Sequence, residues 1–184
     1  MKAIRERIPE YARDLRLNLD AIQKSENLSP RQLWGTALGS ALAARNAELV
    51  RAVAEEARAH LDEPAFAAAR TAAALMGMNN VYYRFVHLVQ EQEYARLPAR
   101  LRMQAIANPG VPGDDGRSDF ELWCLAVSAV NGCGQCMASH ERELKRRGVS
   151  ALQIQDAVRI AAVLHAIAGV LDGERALAQE AEMP

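Results

Sequence analysis

The chain has 184 residues, a length that suits one domain with a sizeable core and excludes a small scaffold dependent on disulfides or metals. Half of the residues are hydrophobic but only 5% are aromatic, a composition that favours closely packed helices and excludes disordered or collagen-like chains. The 22 Lys and Arg residues nearly balance the 23 Asp and Glu residues, so the net charge of -1 provides no general attraction to nucleic acid.

The N-terminal segment is charged and has no apolar run behind it, so the sequence predicts a cytoplasmic protein without a secretion signal. The longest apolar stretch, Ile160 to Leu171, is shorter than the roughly 20 residues that cross a bilayer, and no membrane-spanning segment is expected. The three cysteines, Cys124, Cys133 and Cys136, are too few and too clustered for a secreted disulfide framework. In a reducing compartment they indicate redox or metal chemistry.

Helical patterns run along the whole chain and no segment alternates convincingly like a strand, so the sequence predicts an all-α fold. We expect helices near residues 30 to 45, 118 to 131, 133 to 147 and 150 to 172, with others before 25 and around 47 to 106. Three helix starts have the spacing of a capping box: Ser29 with Gln32, Ser118 with Glu121, and Ser150 with Gln153 after Gly148.

One constant offset of 89 residues relates the two halves of the chain, as an internal duplication would require. We therefore interpret residues 1–184 as a single domain whose first half (about 1–107) and second half (about 118–184) share one core. A Pro/Gly-rich linker at about 108–117 would join them. The matches that carry this hypothesis include Ser29 with Ser118, Trp34 with Trp123, and Arg70 with Arg159.

The second half holds the residues that could do chemistry. Cys133, Cys136 and His140 stand at positions i, i+3 and i+7, which lie along one face of a helix. A helix beginning around residues 131 to 132 would hold both thiols in its first turn, where unpaired amides and the dipole favour a thiolate. His140 could accept the thiol proton, and Glu121 could complete a relay if a helical hairpin brings it beside the imidazole.

Other interpretations of these cysteines stay open. Together with His140 and Cys124 they could bind a structural zinc ion, although three ligands on two turns of one helix make tetrahedral closure awkward. A helical oligomer with a redox-sensing disulfide is a further alternative. A thioredoxin domain is disfavoured because no strand precedes the motif. Outside the site, we expect Cys124 to be a buried packing residue and His165, in an apolar run, to lie in the core.

The pattern of Glu121, the Cys133-Gly134-Gln135-Cys136 motif and His140 resembles that of the alkyl hydroperoxidase AhpD family, within the carboxymuconolactone decarboxylase-like superfamily. The resemblance covers nearly the whole chain. It implies an all-helical, usually trimeric enzyme that reduces small organic hydroperoxides and regenerates an AhpC-type peroxiredoxin. Dihydrolipoyl groups on a carrier protein would supply the electrons, without a metal or bound cofactor. Two other segments carry it as well: Met78-Asn79-Asn80-Val81-Tyr82-Tyr83-Arg84-Phe85 and Asn108-Pro109-Gly110-Val111.

The resemblance also implies the role of each site residue. Cys136 resembles the peroxidatic cysteine, which becomes a sulfenic acid. Cys133 resembles the proton donor that resolves it into a redox disulfide and pairs transiently with the peroxiredoxin. His140 and Glu121 resemble the proton relay. Some members have a histidine where this chain has Gln135, which cannot titrate. A disulfide reductase of the same superfamily without peroxide activity is the alternative.

Overall fold

A computed structural model describes residues 1–107, 109–111, 113 and 115–181 of the chain. This described part is helical and contains no strand, so the all-α prediction is confirmed. A short 3₁₀ turn, Glu10–Ala12, follows the first helix. In chain order the helices are α1 (Lys2–Arg7), α2 (Arg13–Ile22), α3 (Pro30–Ala44), α4 (Ala47–Ala57), α5 (Glu63–Val89), α6 (Gln92–Arg96), α7 (Gln104–Ala107), α8 (Gly116–Val130), α9 (Gly134–Arg146) and α10 (Ala151–Ala181).

Two of the three predicted capping boxes are confirmed. At the start of α3, Ser29 Oγ accepts from the Gln32 N–H at 3.2 Å, and Gln32 Oε1 accepts from the Ser29 N–H at 3.1 Å. Ser150 and Gln153 make the same pair of bonds before α10. Gly148, two residues after the end of α9 and two before Ser150, has a φ of +81°, a left-handed conformation that glycine adopts without strain.

The capping box predicted at Ser118 is wrong, because α8 already begins at Gly116 and Ser118 lies in its first turn. The carboxylate of Glu121 is buried and bonded to the side chains of Arg117 and His140, so it does not accept from or cap the backbone at residue 118. Because α8 begins at Gly116, the linker predicted at about 108–117 ends two residues earlier, at residue 115. Three residues of that predicted linker lie outside the described residues: Asn108, Pro112 and Asp114.

The core lies where α3 and α8 pack on each other and on both α5 and α10. Trp123 of α8 is fully buried, and its indole lies against Gly35 of α3. A Cβ at residue 35 would stand 2.2 Å from a ring carbon, so this close approach of the two helices requires glycine. Since α3 belongs to the predicted first half and α8 to the second, side chains of both halves form this core.

Each predicted half contains three helices that correspond in chain order. Helices α3, α4 and α5 of the first half correspond to α8, α9 and α10 of the second, and the short helices α6 and α7 lie between the two sets. Adding the offset of 89 residues to the bounds of α4 and α5 gives residues that lie inside α9 and α10. The duplication itself and the single-domain boundaries stay predictions.

Helix α10 is long and apolar enough, over Ala151–Gln179, to cross a membrane by length and composition. A core helix passes the same test, and half of the apolar stretch in α10 is buried, with contacts to α2, α3 and α8. The expectation of no membrane-spanning segment stays a prediction.

His165 on helix α10 is exposed, so its assignment to the core is wrong. The apolar run continues around the helix, and His165 lies on the side away from Leu164 and Ile167, which are buried.

Candidate active site

The two cysteines of the motif lie at the start of α9. Cys133 is the N-cap residue, and its Sγ accepts a hydrogen bond from the Cys136 N–H at 3.3 Å. A disulfide joins the two residues across a Cα–Cα distance of 5.3 Å. The predicted helix start at residues 131 to 132 is therefore early. The chain turns at Gly132, which has a φ of +69°, and the helix begins only at Gly134.

The two cysteines differ in their surroundings. Cys133 is fully buried, whereas Cys136 is 7% exposed and forms part of the wall of a cavity of about 510 Å³. His140 and Glu121 lie in the same wall. Of the two cysteines, Cys136 is therefore the one that a small molecule in this cavity meets first.

Glu121 and His140 form a hydrogen-bonded pair across α8 and α9. His140 Nδ1 lies 2.7 Å from Glu121 Oε2, and both side chains are nearly buried, at 11% and 5% exposed. Because a carboxylate only accepts hydrogen bonds, we assign the hydrogen to Nδ1, which leaves Nε2 facing Met76 Sδ at 3.3 Å. In this disulfide form, no hydrogen bond within the described part of the chain joins either ring nitrogen to a cysteine sulfur.

Arg117 holds the other oxygen of the Glu121 carboxylate. Its Nη2 lies 2.7 Å from Glu121 Oε1, and its Nη1 donates to the Ile106 carbonyl oxygen. Glu121 is thus bonded on one side to a guanidinium and on the other to His140. The carboxylate therefore has a fixed orientation, which in turn orients the imidazole toward the cavity.

A second carboxylate in the cavity wall, Glu143, is part of a surface ion cluster. Hydrogen bonds from Arg146 and Arg147 lower the pKa of Glu143 to about 2, so it carries a negative charge at neutral pH. It is therefore suited to an electrostatic role and not to proton transfer.

The third cysteine takes no part in this arrangement. Cys124 is fully buried as a free thiol, as predicted. Burial raises the pKa of the Cys124 thiol well above its usual range, and the nearby Glu121 carboxylate raises it further. Among residues 1–107, 109–111, 113 and 115–181, no group of three or more His, Cys, Asp or Glu side chains could hold a metal ion.

Three of the four predicted site residues lie at the N-cap or on α9, and the fourth, Glu121, lies on the facing part of α8. The sequence did not single out Arg117, Met76 or Asn79, which line the same cavity. Arg117 stands four residues before Glu121, a helical ion-pair spacing that could have revealed it. Asn79 lies within a segment that carries the family resemblance. Met76 had no chemical signal, because its contact with His140 spans 64 residues of sequence.

Comparison with known proteins identifies the family. The model of the carboxymuconolactone decarboxylase family matches residues 92–179. A Rhodospirillum centenum protein named alkyl hydroperoxide reductase AhpD is 54% identical over 177 residues, which cover 96% of this chain and 93% of that protein. Proteins of the same name are 52% identical in Gluconacetobacter diazotrophicus, over 96% of this chain and 95% of that protein, and 56% identical in Frankia alni, over 90% and 87%. The chain therefore belongs to the alkyl hydroperoxide reductase AhpD family.

Proposed function

We propose that this protein is a thiol-dependent alkyl hydroperoxide reductase. The observation that carries the proposal is the Cys133–Cys136 disulfide beside a cavity whose wall also holds the Glu121–His140 pair. The cavity has a size suited to a small organic molecule, and Met103 and Ile106 add apolar surface to its wall. The names of the relatives agree with this activity.

In the reduced protein, Cys136 is the proposed nucleophile. Its position in the first turn of α9 favours the thiolate, and His140 takes the thiol proton. The thiolate attacks the terminal oxygen of the hydroperoxide, so that an S–O bond forms and the O–O bond breaks. The departing alkoxide takes the proton from His140 and leaves as an alcohol. Cys136 is then a sulfenic acid.

Cys133 completes the oxidative half of the cycle. Its thiol attacks the sulfenic sulfur of Cys136, an S–S bond forms, and the hydroxyl leaves with the thiol proton as water. The product is the disulfide seen in the structure. These steps involve two sulfurs, one imidazole and one carboxylate, without a prosthetic group.

Return to the dithiol requires two electrons from another dithiol. We propose that a dihydrolipoyl group on a carrier protein supplies them by thiol–disulfide exchange, and that the dithiol also reduces an AhpC-type peroxiredoxin. The peroxiredoxin would pair transiently with Cys133. Because Cys133 is fully buried in the disulfide form, exchange at this sulfur requires the turn at Gly132 to move.

Steady-state turnover of cumene hydroperoxide with dihydrolipoamide tests the proposed function. We expect one equivalent of alcohol for each equivalent of dihydrolipoamide oxidised, because each cycle transfers two electrons. A reaction without hydroperoxide is the control. Reduction of the protein disulfide without alcohol formation would instead identify a disulfide reductase, and absence of both reactions would contradict the proposal.

We also propose that the protein is a homotrimer. The end of α5 and the residues of and after α6 expose a group of large apolar side chains, which is typical of a surface covered by another subunit. Light scattering is expected to give three times the mass of one chain, and the mass of a single chain would contradict the proposal. The exposed side chains are Val81, Phe85, Leu88, Val89, Tyr94 and Leu97.

A further inference from the structure

A chain of polar contacts from α5 holds the turn between α8 and α9. The exposed Arg84 donates from Nη1 to the Asn131 carbonyl oxygen at 2.7 Å. Asn131 Nδ2 donates to Asn80 Oδ1 at 2.9 Å, and Asn80 Nδ2 donates to Ser128 Oγ at 2.9 Å. The backbone and the side chain of Asn131 are therefore both bonded to α5.

Cys133 follows this turn directly, so its position depends on the turn. Its N–H donates to the Ser128 carbonyl oxygen at 3.0 Å, and Gly132 before it has a left-handed backbone. Cys133 is also the N-cap of α9, since its carbonyl oxygen accepts from the Met137 N–H at 2.9 Å, whereas Cys136 lies within the helix. The N–H side of Cys133 is therefore held by the turn and its carbonyl side by the helix, so loosening of residues 131 and 132 allows Cys133 to move away from Cys136.

We propose that Arg84 is a positioning residue for Cys133. Its bond to the Asn131 carbonyl holds the turn in the conformation that keeps the Cys133 sulfur next to Cys136. The bond thereby favours the disulfide over the dithiol and speeds disulfide formation. This inference rests on the proposed function, in which Cys133 condenses with the Cys136 sulfenic acid.

The physical reason is that the turn raises the effective concentration of the Cys133 thiol at the Cys136 sulfur. An ordered turn keeps the Cys133 thiol within reach of Cys136, whereas a mobile turn spreads its positions. Because Arg84 is exposed, replacing it leaves the core intact, and the effect falls on the turn alone. The contact of Asn80 with Ser128 is buried and keeps the rest of the turn folded.

The test compares Arg84→Met with wild type in the full-length protein. Methionine keeps a long apolar side chain but cannot donate to the carbonyl. We expect the equilibrium between the Cys133–Cys136 disulfide and dithiothreitol to shift about fivefold toward the dithiol, the size of one lost hydrogen bond. Diamide oxidation of the reduced variant is expected to form the disulfide several-fold more slowly. Both quantities are measured by quantifying free thiols after acid quenching.

Three further measurements decide the origin of the shift. Arg84→Lys, which keeps a donor, is expected to recover part of it. Arg70→Met removes another exposed arginine from α5 and is expected to match wild type. The melting temperature of Arg84→Met is expected to fall by less in the reduced protein than in the disulfide form, because the turn of the reduced protein can relax when the bond is lost.

A wild-type equilibrium and formation rate in Arg84→Met would overturn the inference. An equal shift in Arg70→Met, which would show a general effect of charge, would also overturn it. So would a melting temperature that falls equally in the disulfide and the reduced forms of Arg84→Met. None of these measurements uses a hydroperoxide. Failure of the proposed function, seen as absence of peroxide turnover in wild type, is therefore distinguishable from failure of this inference.

Discussion

Replacing Cys136 with serine is expected to lower hydroperoxide turnover more than about a thousandfold, to the rate of the uncatalysed reaction. A serine hydroxyl has nearly the same size as the thiol but is not ionised at neutral pH, so it cannot attack the O–O bond. The substitution also removes the sulfur that forms the sulfenic acid. The measurement is steady-state turnover of cumene hydroperoxide with dihydrolipoamide.

Cys133→Ser is expected to behave differently from Cys136→Ser. It keeps the proposed nucleophile and lacks the resolving thiol, so it should reduce one equivalent of hydroperoxide and then stop. The Cys136 sulfenic acid that accumulates can be trapped with dimedone and located by mass spectrometry. Cys124→Ala serves as the control, because the buried Cys124 thiol lies outside the site, and it is expected to turn over like wild type. Steady-state turnover in both Cys133→Ser and Cys136→Ser would show that the site is misassigned.

Glu121→Gln is expected to lower turnover about a hundredfold without unfolding the protein. The wild-type carboxylate accepts from His140 on one oxygen and from Arg117 on the other. A glutamine has only one accepting end. If that end binds Arg117, its NH₂ group faces His140 Nδ1 and forces the hydrogen onto Nε2, so the imidazole no longer presents a basic nitrogen to the cavity.

His140→Phe is expected to have an effect of similar size, because it removes the proton acceptor itself. Glu141→Gln is the matched control: Glu141 neighbours His140 on α9, but its carboxylate pairs with the exposed Lys145 at 3.1 Å. The rate of the first turnover, measured by mixing reduced protein with hydroperoxide, reports on the chemical step. A first-turnover rate of Glu121→Gln within twofold of wild type would contradict the relay.

The capping boxes at Ser29 and Ser150 were predictable because they are local. Each involves residues three apart, and the bonds form within one turn. Ser118 had the same spacing, but there Glu121 is bonded to His140, 19 residues away. The charge pairing of a buried carboxylate therefore outweighed the local pattern, and the helix began earlier. His165 was misplaced because an apolar run does not show which side of a helix faces the core.

The sequence by itself determined the helical class, the helix starts after Ser29 and Ser150, and the four residues proposed for the chemistry, because periodicity and spacing along the chain carry that information. Only the tertiary structure decided that Cys133 caps α9, that Cys136 lines the cavity, and that Met76, Arg117 and Arg84 lie beside the site. Contacts such as those of Met76 with His140 and Arg84 with Asn131 join residues 64 and 47 positions apart. Such contacts depend on how helices pack against one another, and spacing along one helix contains no record of that packing.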